Sequence, residues 1–500
     1  MYILFAVFSK KIGILEVTDI VRQDNFMYDI IIIGAGIVGT MLARDLSKYQ
    51  LSVAILDKEN DVANETSMAN SAIVHTGYDP EDNTLKAKLN VEGARMYEQL
   101  CKDLSCEYEK VGAFVAACGK QEEQHLDVLA ERAKQRNIPY KIYTGEEARQ
   151  LEPHLADGVT KVIDFYTTAI IYPWHVALAA CEVAVNNGVE LYLQHEVTSI
   201  TKCKDSFIIH TTKGDFETRM VLNAAGVWAD KIDAMVSHLH SFTMHPKKGE
   251  YFVFDKDADF MKHIVFPVPS EKGKGVLVVP TVYGNTLIGP NAEESEYDTG
   301  TSNAGLTFVK QSIAKTVKDV PWSKVIRTFA GLRPSSTSKD FIIAEAKDAL
   351  GFVNIASIES PGLASSPAIS QYVIQHFVTK KFVMIEKKDA IMTHQKPIVL
   401  SALTPEERNA KILENPKYGN IICRCETISE GEIVDCIHST IGARSVKGVK
   451  KRVRPGMGRC QGGFCEPMVV SILARELNIS PLEVVLDDEE SKILFKENRS

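Results

Sequence analysis

Residues 29–57 read DIIIIGAGIVGTMLARDLSKYQLSVAILD. The run Asp29–Ile33 is short, apolar and β-branched, which predicts a parallel strand buried on both faces. Gly34, Gly36 and Gly39 follow in the G-x-G-x-x-G spacing. In that spacing the first glycine permits a tight turn, the second lets backbone amides approach a pyrophosphate, and the third lets helix and strand pack closely. The next thirteen residues, IVGTMLARDLSKY, carry the apolar spacing of a helix, whose positive N-terminus suits an anion. A second strand, Val53–Leu56, ends at Asp57, 23 residues past Gly34, where a carboxylate can accept from ribose hydroxyls. Strand, glycines, helix, strand and acid in that order predict a Rossmann-type dinucleotide-binding unit in an α/β chain rather than an ordinary glycine-rich turn. The acid argues against NADP. The motif alone leaves NAD and FAD both open.

Outward from this unit, Trp174–Asn187 reads as a helix. Short strands are expected at Glu190–Leu193, Phe207–Thr211 and Met220–Ala224. Residues 250–290 hold the strand-like runs EYFVF, GVLVVP and NTLIG, which predict an antiparallel sheet in a lobe interleaved with the nucleotide-binding one. Phe352–Ala356 is one more buried strand and Pro367–Lys380 one more helix. Residues 386–417 are polar and proline-interrupted, hence the expected linker, followed by a small unit at 418–475 and a tail at 476–500.

Composition sets bounds on this reading. The 500 residues are 45% hydrophobic and 24% charged, which excludes wholesale disorder. The net charge of −8 argues against generic nucleic-acid binding. No apolar run reaches the roughly 18 residues of a membrane-spanning helix. The N-terminal MYILFAVF lacks the basic lead and cleavage site of a signal peptide. Residues 1–26 are therefore expected to be a disordered lead or an over-extended start, and the protein cytoplasmic.

Ten cysteines are distributed unevenly: none lies between Cys203 and Cys423, and four of the last five form two tight pairs. Cys423-x-Cys425 and Cys460-x4-Cys465 are separated by 34 residues. Four thiolates so paired suit a [2Fe–2S] cluster or a tetrahedral zinc, although zinc sites favour a C-x2-C spacing. Cys436 falls in a helical pattern, GEIVDCIHSTIG, and reads as a small core hydrophobe. Between the pairs run Arg444, Lys447, Lys450, Lys451, Arg452, Arg454 and Arg459. These cations suit a solvated face, offset of an anionic cluster, or docking of an acidic electron-transfer partner.

Four segments together resemble the FAD-dependent D-amino-acid oxidase/glycerol-3-phosphate dehydrogenase superfamily. They are the glycine fingerprint with Asp57, the run Thr66–Gly77 (TSMANSAIVHTG), the run Val221–Ala229 (VLNAAGVWA), and Gly331-Leu-Arg333-Pro334 with Ile358–Leu363 (IESPGL). Many members carry Glu where Asp57 stands. The resemblance implies a Rossmann-type FAD-binding domain with an interleaved antiparallel-sheet substrate domain. FAD binding would fall at about 27–100, 155–245 and 331–385, and the substrate lobe at about 101–154 and 246–330. It also implies FAD contacts from Gly34, Gly36, Gly39, Asp57, Lys58, Thr66, Ser67, Asn70, Ser71, Val197, Ala225, Gly226, Gly331, Gly362 and Leu363.

A flavin dehydrogenase of this type needs a base for the substrate's hydroxyl proton and cations for its anionic part. His75, in the flavin loop, is the expected base; a packed histidine at the flavin edge is the alternative. Arg333 offers a planar fork to a carboxylate or phosphate. Lys274 is expected to add a second cation and Ser360 a hydrogen bond, against a solvated-loop role for each. The segments SAIVHTGYDP, LKAKLNVEGARMY, GEY and LIGPNA are similar to the glycerol-3-phosphate dehydrogenase/oxidase branch, with the L-2-hydroxyglutarate dehydrogenases sharing much of the pattern.

The segments ICRCE and GMGRCQGGFCEP resemble the bacterioferritin-associated-ferredoxin type of small helical [2Fe–2S] domain. That resemblance implies Cys423, Cys425, Cys460 and Cys465 as cluster ligands. Flavin and cluster in one chain suggest a dehydrogenase with a separate acceptor, and the branch resemblance implies sn-glycerol 3-phosphate as its substrate and dihydroxyacetone phosphate as its product. Its electrons would leave through the cluster to a partner subunit, a ferredoxin-like protein or a quinone-linked acceptor. Peripheral membrane association would come only through such a partner. Competing readings are an L-2-hydroxyglutarate enzyme, a peroxide-forming oxidase, and a non-catalytic iron–sulfur carrier or redox sensor.

Overall fold

Strand β1 (Met27–Ile33), helix α1 (Ile37–Ser47) and strand β2 (Val53–Leu56) form where the apolar runs place them. The computed structural model describes residues 26–269 and 275–496. The lead expected over residues 1–26 therefore lies outside the described residues apart from Phe26, and Lys274 lies outside them too. β1 pairs in parallel with β2 on one side and with β3 (Gly214–Asn223) on the other. Ile30, Ile31 and Ile32 are fully buried, as a parallel strand covered on both faces requires. Glu190–Tyr192 continues this eight-stranded sheet beyond β2, and Phe207–Thr211 and Phe352–Ala356 flank β3. The helix expected at Trp174–Asn187 spans Pro173–Asn186 and packs on α1.

A second, nine-stranded sheet holds the runs read from 250–290, in strand β4 (Lys247–Phe254), Leu277–Pro280 and Thr286–Gly289. Helix α2 (Asn303–Ile313) packs against β4, and strand β5 (Val325–Arg333) pairs with it antiparallel. Ala113–Ala117, Lys141–Thr144 and Lys161–Asp164 join the same sheet. Every printed pairing in it is antiparallel except that of Ile264–Pro267 with Ala113–Ala117. Helix α3 runs from Gly362 to Val373, five residues earlier than its expected start at Pro367, so that proline sits inside it.

The described chain divides into two compact units. One comprises Met27–Ile398 with Gly456–Gly463, and the other is built on Val399–Pro455 and the residues from Phe464 onward. Within the expected linker, Pro405–Glu414 is a helix, with Thr404 and Glu407 forming a capping box. The smaller unit adds a hairpin, Ile421–Cys423 with Ile428–Ser429, and the helices Glu430–Ile437, Val446–Val453 and Glu466–Leu477. Its core is a separate cluster that includes Ile433, Ile437, Val449, Val469 and Leu473. No helix among the described residues is long and apolar enough to cross a membrane.

Candidate functional site

The glycine turn between β1 and α1 opens onto a cleft of about 1180 Å³ in the larger unit. Gly34 turns with φ of +108°, and a side chain there would stand 2.5 Å from the Ala224 carbonyl oxygen. A side chain on Gly39 would collide with the carbonyl oxygen of Gly34, so turn and helix pack backbone to backbone. Gly36, the N-cap of α1, has no side chain to offer; Ser67 Oγ accepts from Ile37 N–H instead, at 2.9 Å. Thr66 Oγ1 donates to the Leu332 carbonyl at 2.7 Å, and Asn70 Nδ2 donates to the Ser67 carbonyl at 2.9 Å. The start of the 66–71 loop is thereby tied both to α1, through Ser67, and to β5, through Thr66.

Asp57, at the C-terminal end of β2, accepts from the N–H groups of Ala35 at 2.5 Å and Glu59 at 2.8 Å. Burial pushes its carboxyl up to about 6, against the pull of these two donors. Lys58 Nζ lies 4.5 Å from the centre of the Trp228 ring and 3.4 Å from both Glu59 and Glu65. Val197, Ala225 and Gly226 line the cleft on this side, and Gly331, Gly362 and Leu363 line it farther along. A side chain at Gly331 would collide with the Ala69 carbonyl, so β5 and the 66–71 loop need the glycine to approach. Of the predicted cofactor residues, all but Gly39 line this one cleft, and Gly39 acts in packing.

His75, Arg333 and Ser360 line it as well. His75 is 8% exposed and lies beside Phe266, with ring centres 5.6 Å apart. Arg333 ends β5 and sends Nη2 to the Asn291 carbonyl at 2.8 Å. Sequence reading missed an ion pair here: Lys86 Nζ meets Glu359 at 2.6 Å, and Ser335 Oγ donates to the same carboxylate at 2.5 Å. Burial opposes the charge on Glu359, but Lys86, Ser335 and Arg333 outweigh it and hold the carboxyl below its usual range. Tyr251, from the GEY run, shares a hydrogen bond with Ser71 at 3.0 Å. Burial pushes its hydroxyl pKa up, against the charge of Arg333. LKAKLN and GEY were visible as motifs, yet only the fold shows that Lys86 and Tyr251 face this cleft.

A helix N-terminus beside a glycine turn, an acid at the end of β2 and a cleft with cations at its far end fit FAD with a small anion beside it.

In the smaller unit Cys423 and Cys465 are buried and Cys425 is exposed; Cys460, on the Gly456–Gly463 segment, is half-buried. Cys436 donates to the Ile433 carbonyl at 3.1 Å within the core, as a packed thiol does. Among the described residues no three His, Cys, Asp or Glu side chains are gathered to hold a single ion. Chemically, a donor set of four thiols in two pairs suits two irons bridged by sulfide. The basic run is a solvated face only in part: Arg444 and Arg459 are exposed, whereas Lys451 is 2% exposed, and Arg454, 7% exposed, pairs with Glu426 at 3.1 Å. Arg444 and Arg452 donate to the carbonyls of Ile437 and Gly448.

Residues 29–376 match the FAD-dependent oxidoreductase family, and residues 421–475 match the BFD-like [2Fe–2S] binding domain. Over 95% of its length the chain is 45% identical to a glycerol 3-phosphate dehydrogenase of Caloramator mitchellensis, covering 99% of that protein. Over 69% of its length it is 32% identical to a glycerol 3-phosphate oxidase of Mycoplasma genitalium, covering 94% of it. Among solved structures, the dithionite-reduced, FAD-bound L-α-glycerophosphate oxidase of Mycoplasma pneumoniae superposes with a TM-score of 0.71. That match spans 75% of this chain and all of the other, at 27% identity.

Proposed function

Because the chain belongs to the FAD-dependent oxidoreductase family and carries a BFD-like [2Fe–2S] domain, we propose that it is a dehydrogenase for a small anionic secondary alcohol, sn-glycerol 3-phosphate. The product is dihydroxyacetone phosphate, and the electrons leave one at a time to an external acceptor. One observation carries this reading: Arg333 and His75 lie in the same cleft as the predicted cofactor residues. Bound FAD supplies the acceptor for the hydride that leaves the substrate's C2 and releases electrons singly.

The other roles belong to the chain. Arg333 binds the phosphate, with Lys274 as a second cation and Ser360 as a hydrogen-bond donor. His75 takes the C2 hydroxyl proton on an imidazole nitrogen as the hydride departs. Gly34, Gly36 and the start of α1 receive the pyrophosphate. Asp57 receives a ribose hydroxyl, and the 66–71 loop lies along the flavin. Cys423, Cys425, Cys460 and Cys465 ligate the cluster. The cluster favours a dehydrogenase over an oxidase, because oxygen needs no second redox centre to take electrons from a reduced flavin.

Anaerobic titration of the purified protein tests this directly. Glycerol 3-phosphate is expected to bleach the flavin absorbance at lower concentration than L-2-hydroxyglutarate or amino acids. Bleaching by 2-hydroxyglutarate alone would reassign the substrate. Stoichiometric peroxide that survives replacement of all four cysteines would make the protein an oxidase.

A further inference from the structure

Glu250 lies in β4 between Gly249 and Tyr251, both of which face the cleft, so its own side chain points to the opposite face. It is 0% exposed. Its Oε1 accepts from the N–H of Ser302, the N-cap of α2, at 2.5 Å. Gly305, in the first turn of α2, lets the helix approach the carboxylate, because a side chain there would displace Glu250 Oε2. A buried carboxylate is thus set against a helix N-terminus behind the cleft wall.

Asn291 links that carboxylate to the cleft. Its Nδ2 donates to Glu250 Oε2 at 2.7 Å and its Oδ1 accepts from the Glu250 N–H at 2.7 Å. The Asn291 carbonyl then accepts from Arg333 Nη2 at 2.8 Å. From the other side, Gly249 leaves the guanidinium room: a side chain there would stand 3.0 Å from Arg333 Nη2 and 2.8 Å from Pro290 Cβ. Arg333 is therefore held at one terminal nitrogen, which limits how far its fork can turn.

We propose that Glu250 and Asn291 are positioning residues for Arg333, holding the fork in the orientation that receives the substrate's anionic group. This rests on the reading of Arg333 as the anion anchor. Neither residue touches the substrate; both act through the guanidinium, whose bidentate geometry is lost on a small rotation.

The test uses full-length enzyme with FAD and cluster in place, in the variants E250Q, N291S, R333A, E250Q/R333A and N291S/R333A. Two quantities are read: KM for glycerol 3-phosphate, and the Kd of inorganic phosphate from perturbation of the flavin absorbance. E250Q and N291S are each expected to raise both about tenfold, with kcat changed less than twofold and FAD content and melting temperature preserved. In the R333A background neither is expected to add anything, because coupled residues share one loss. If E250Q does not fold, the milder N291S decides. Equal effects with and without Arg333 would mean a structural role and overturn the proposal. Silent E250Q and N291S beside a weakened R333A would overturn the positioning alone. An R333A enzyme with unchanged KM and Kd would sink the anchor reading, and the positioning with it.

Discussion

Asp57 shows what a single carboxyl contributes. Its pKa, pushed up to about 6, exceeds that of an ordinary aspartate, so the folded chain binds this proton more tightly than the unfolded chain. The cofactor-free fold therefore loses stability as pH climbs from the ordinary aspartate range to about 6. A ribose hydroxyl donates more strongly to the ionised carboxylate than to the protonated carboxyl, so on the reading of Asp57 as the ribose acceptor FAD binding runs the opposite way. Its Kd is expected to rise as pH falls below about 6, by at most about tenfold per unit. Fluorescence quenching of FAD by the stripped protein measures this. Asp57→Asn is expected to flatten the slope and weaken binding at pH 7; an unchanged slope would remove Asp57 from the site. The position of Asp57 was legible because the motif that places it spans only 29 residues of contiguous sequence, 29–57. Glu250 and Asn291 were not. They lie 41 residues apart, and each acquires its meaning only when β4 brings them together beneath Arg333.

At the scale of elements, proline explains two departures from the sequence reading. A helix seldom contains proline beyond its first turn, so Pro367 reads as a helix start. α3 accommodates it because the carbonyl that Pro367 cannot serve, that of Leu363, accepts from Tyr97 Oη at 2.7 Å and Ser366 Oγ at 2.9 Å. Tyr97 is fully buried on the Leu85–Asp103 helix. Tyr97→Phe is expected to cost about 1–2 kcal/mol, seen as a lower melting temperature of the FAD-loaded protein. On the same helix a side chain at Gly93 would collide with the Ala364 carbonyl. Gly93→Ala must push the two helices apart and is expected to cost about 1–3 kcal/mol. A Gly93→Ala protein melting with the parent would refute that contact. Pro405 is the second departure. It reads as a linker residue, yet it occupies the first helical turn behind Thr404, and the Thr-Pro-Glu-Glu signal was present in the sequence. The strands Lys141–Thr144 and Lys161–Asp164 left no comparable signal, because they pair with each other across a helix and join the second sheet only where Lys161–Asp164 meets Ala113–Ala117.

Across the whole molecule, the two units have separate cores, and three of the four proposed cluster ligands, Cys423, Cys425 and Cys465, belong to the smaller one, so removing the cluster is expected to act mainly there and removing FAD on the larger unit. Lys451 and Arg454 are buried in the smaller unit, where a cation is tolerated only against compensating negative charge. Glu426 supplies part of it to Arg454 at 3.1 Å. Two ferric irons with two bridging sulfides and four thiolates add a net charge of about −2 that is present only with the cluster. Once iron is stripped, the thiols reprotonate and that compensation disappears, while the binding energy of the metal is also lost. Calorimetry of the complete protein is expected to show two transitions. Treatment with dithionite and a chelator, followed by desalting and reoxidation in air, should lower one of them by ten degrees or more and return the oxidised flavin spectrum in full; removal of FAD should lower the other. Glu426→Gln is expected to cost less with the cluster in place than without it, because the cluster's negative charge then offsets part of the loss beside the buried Arg454. Equal costs in the two states would show that the cluster charge does not reach these cations, and would return the basic run to an ordinary structural role.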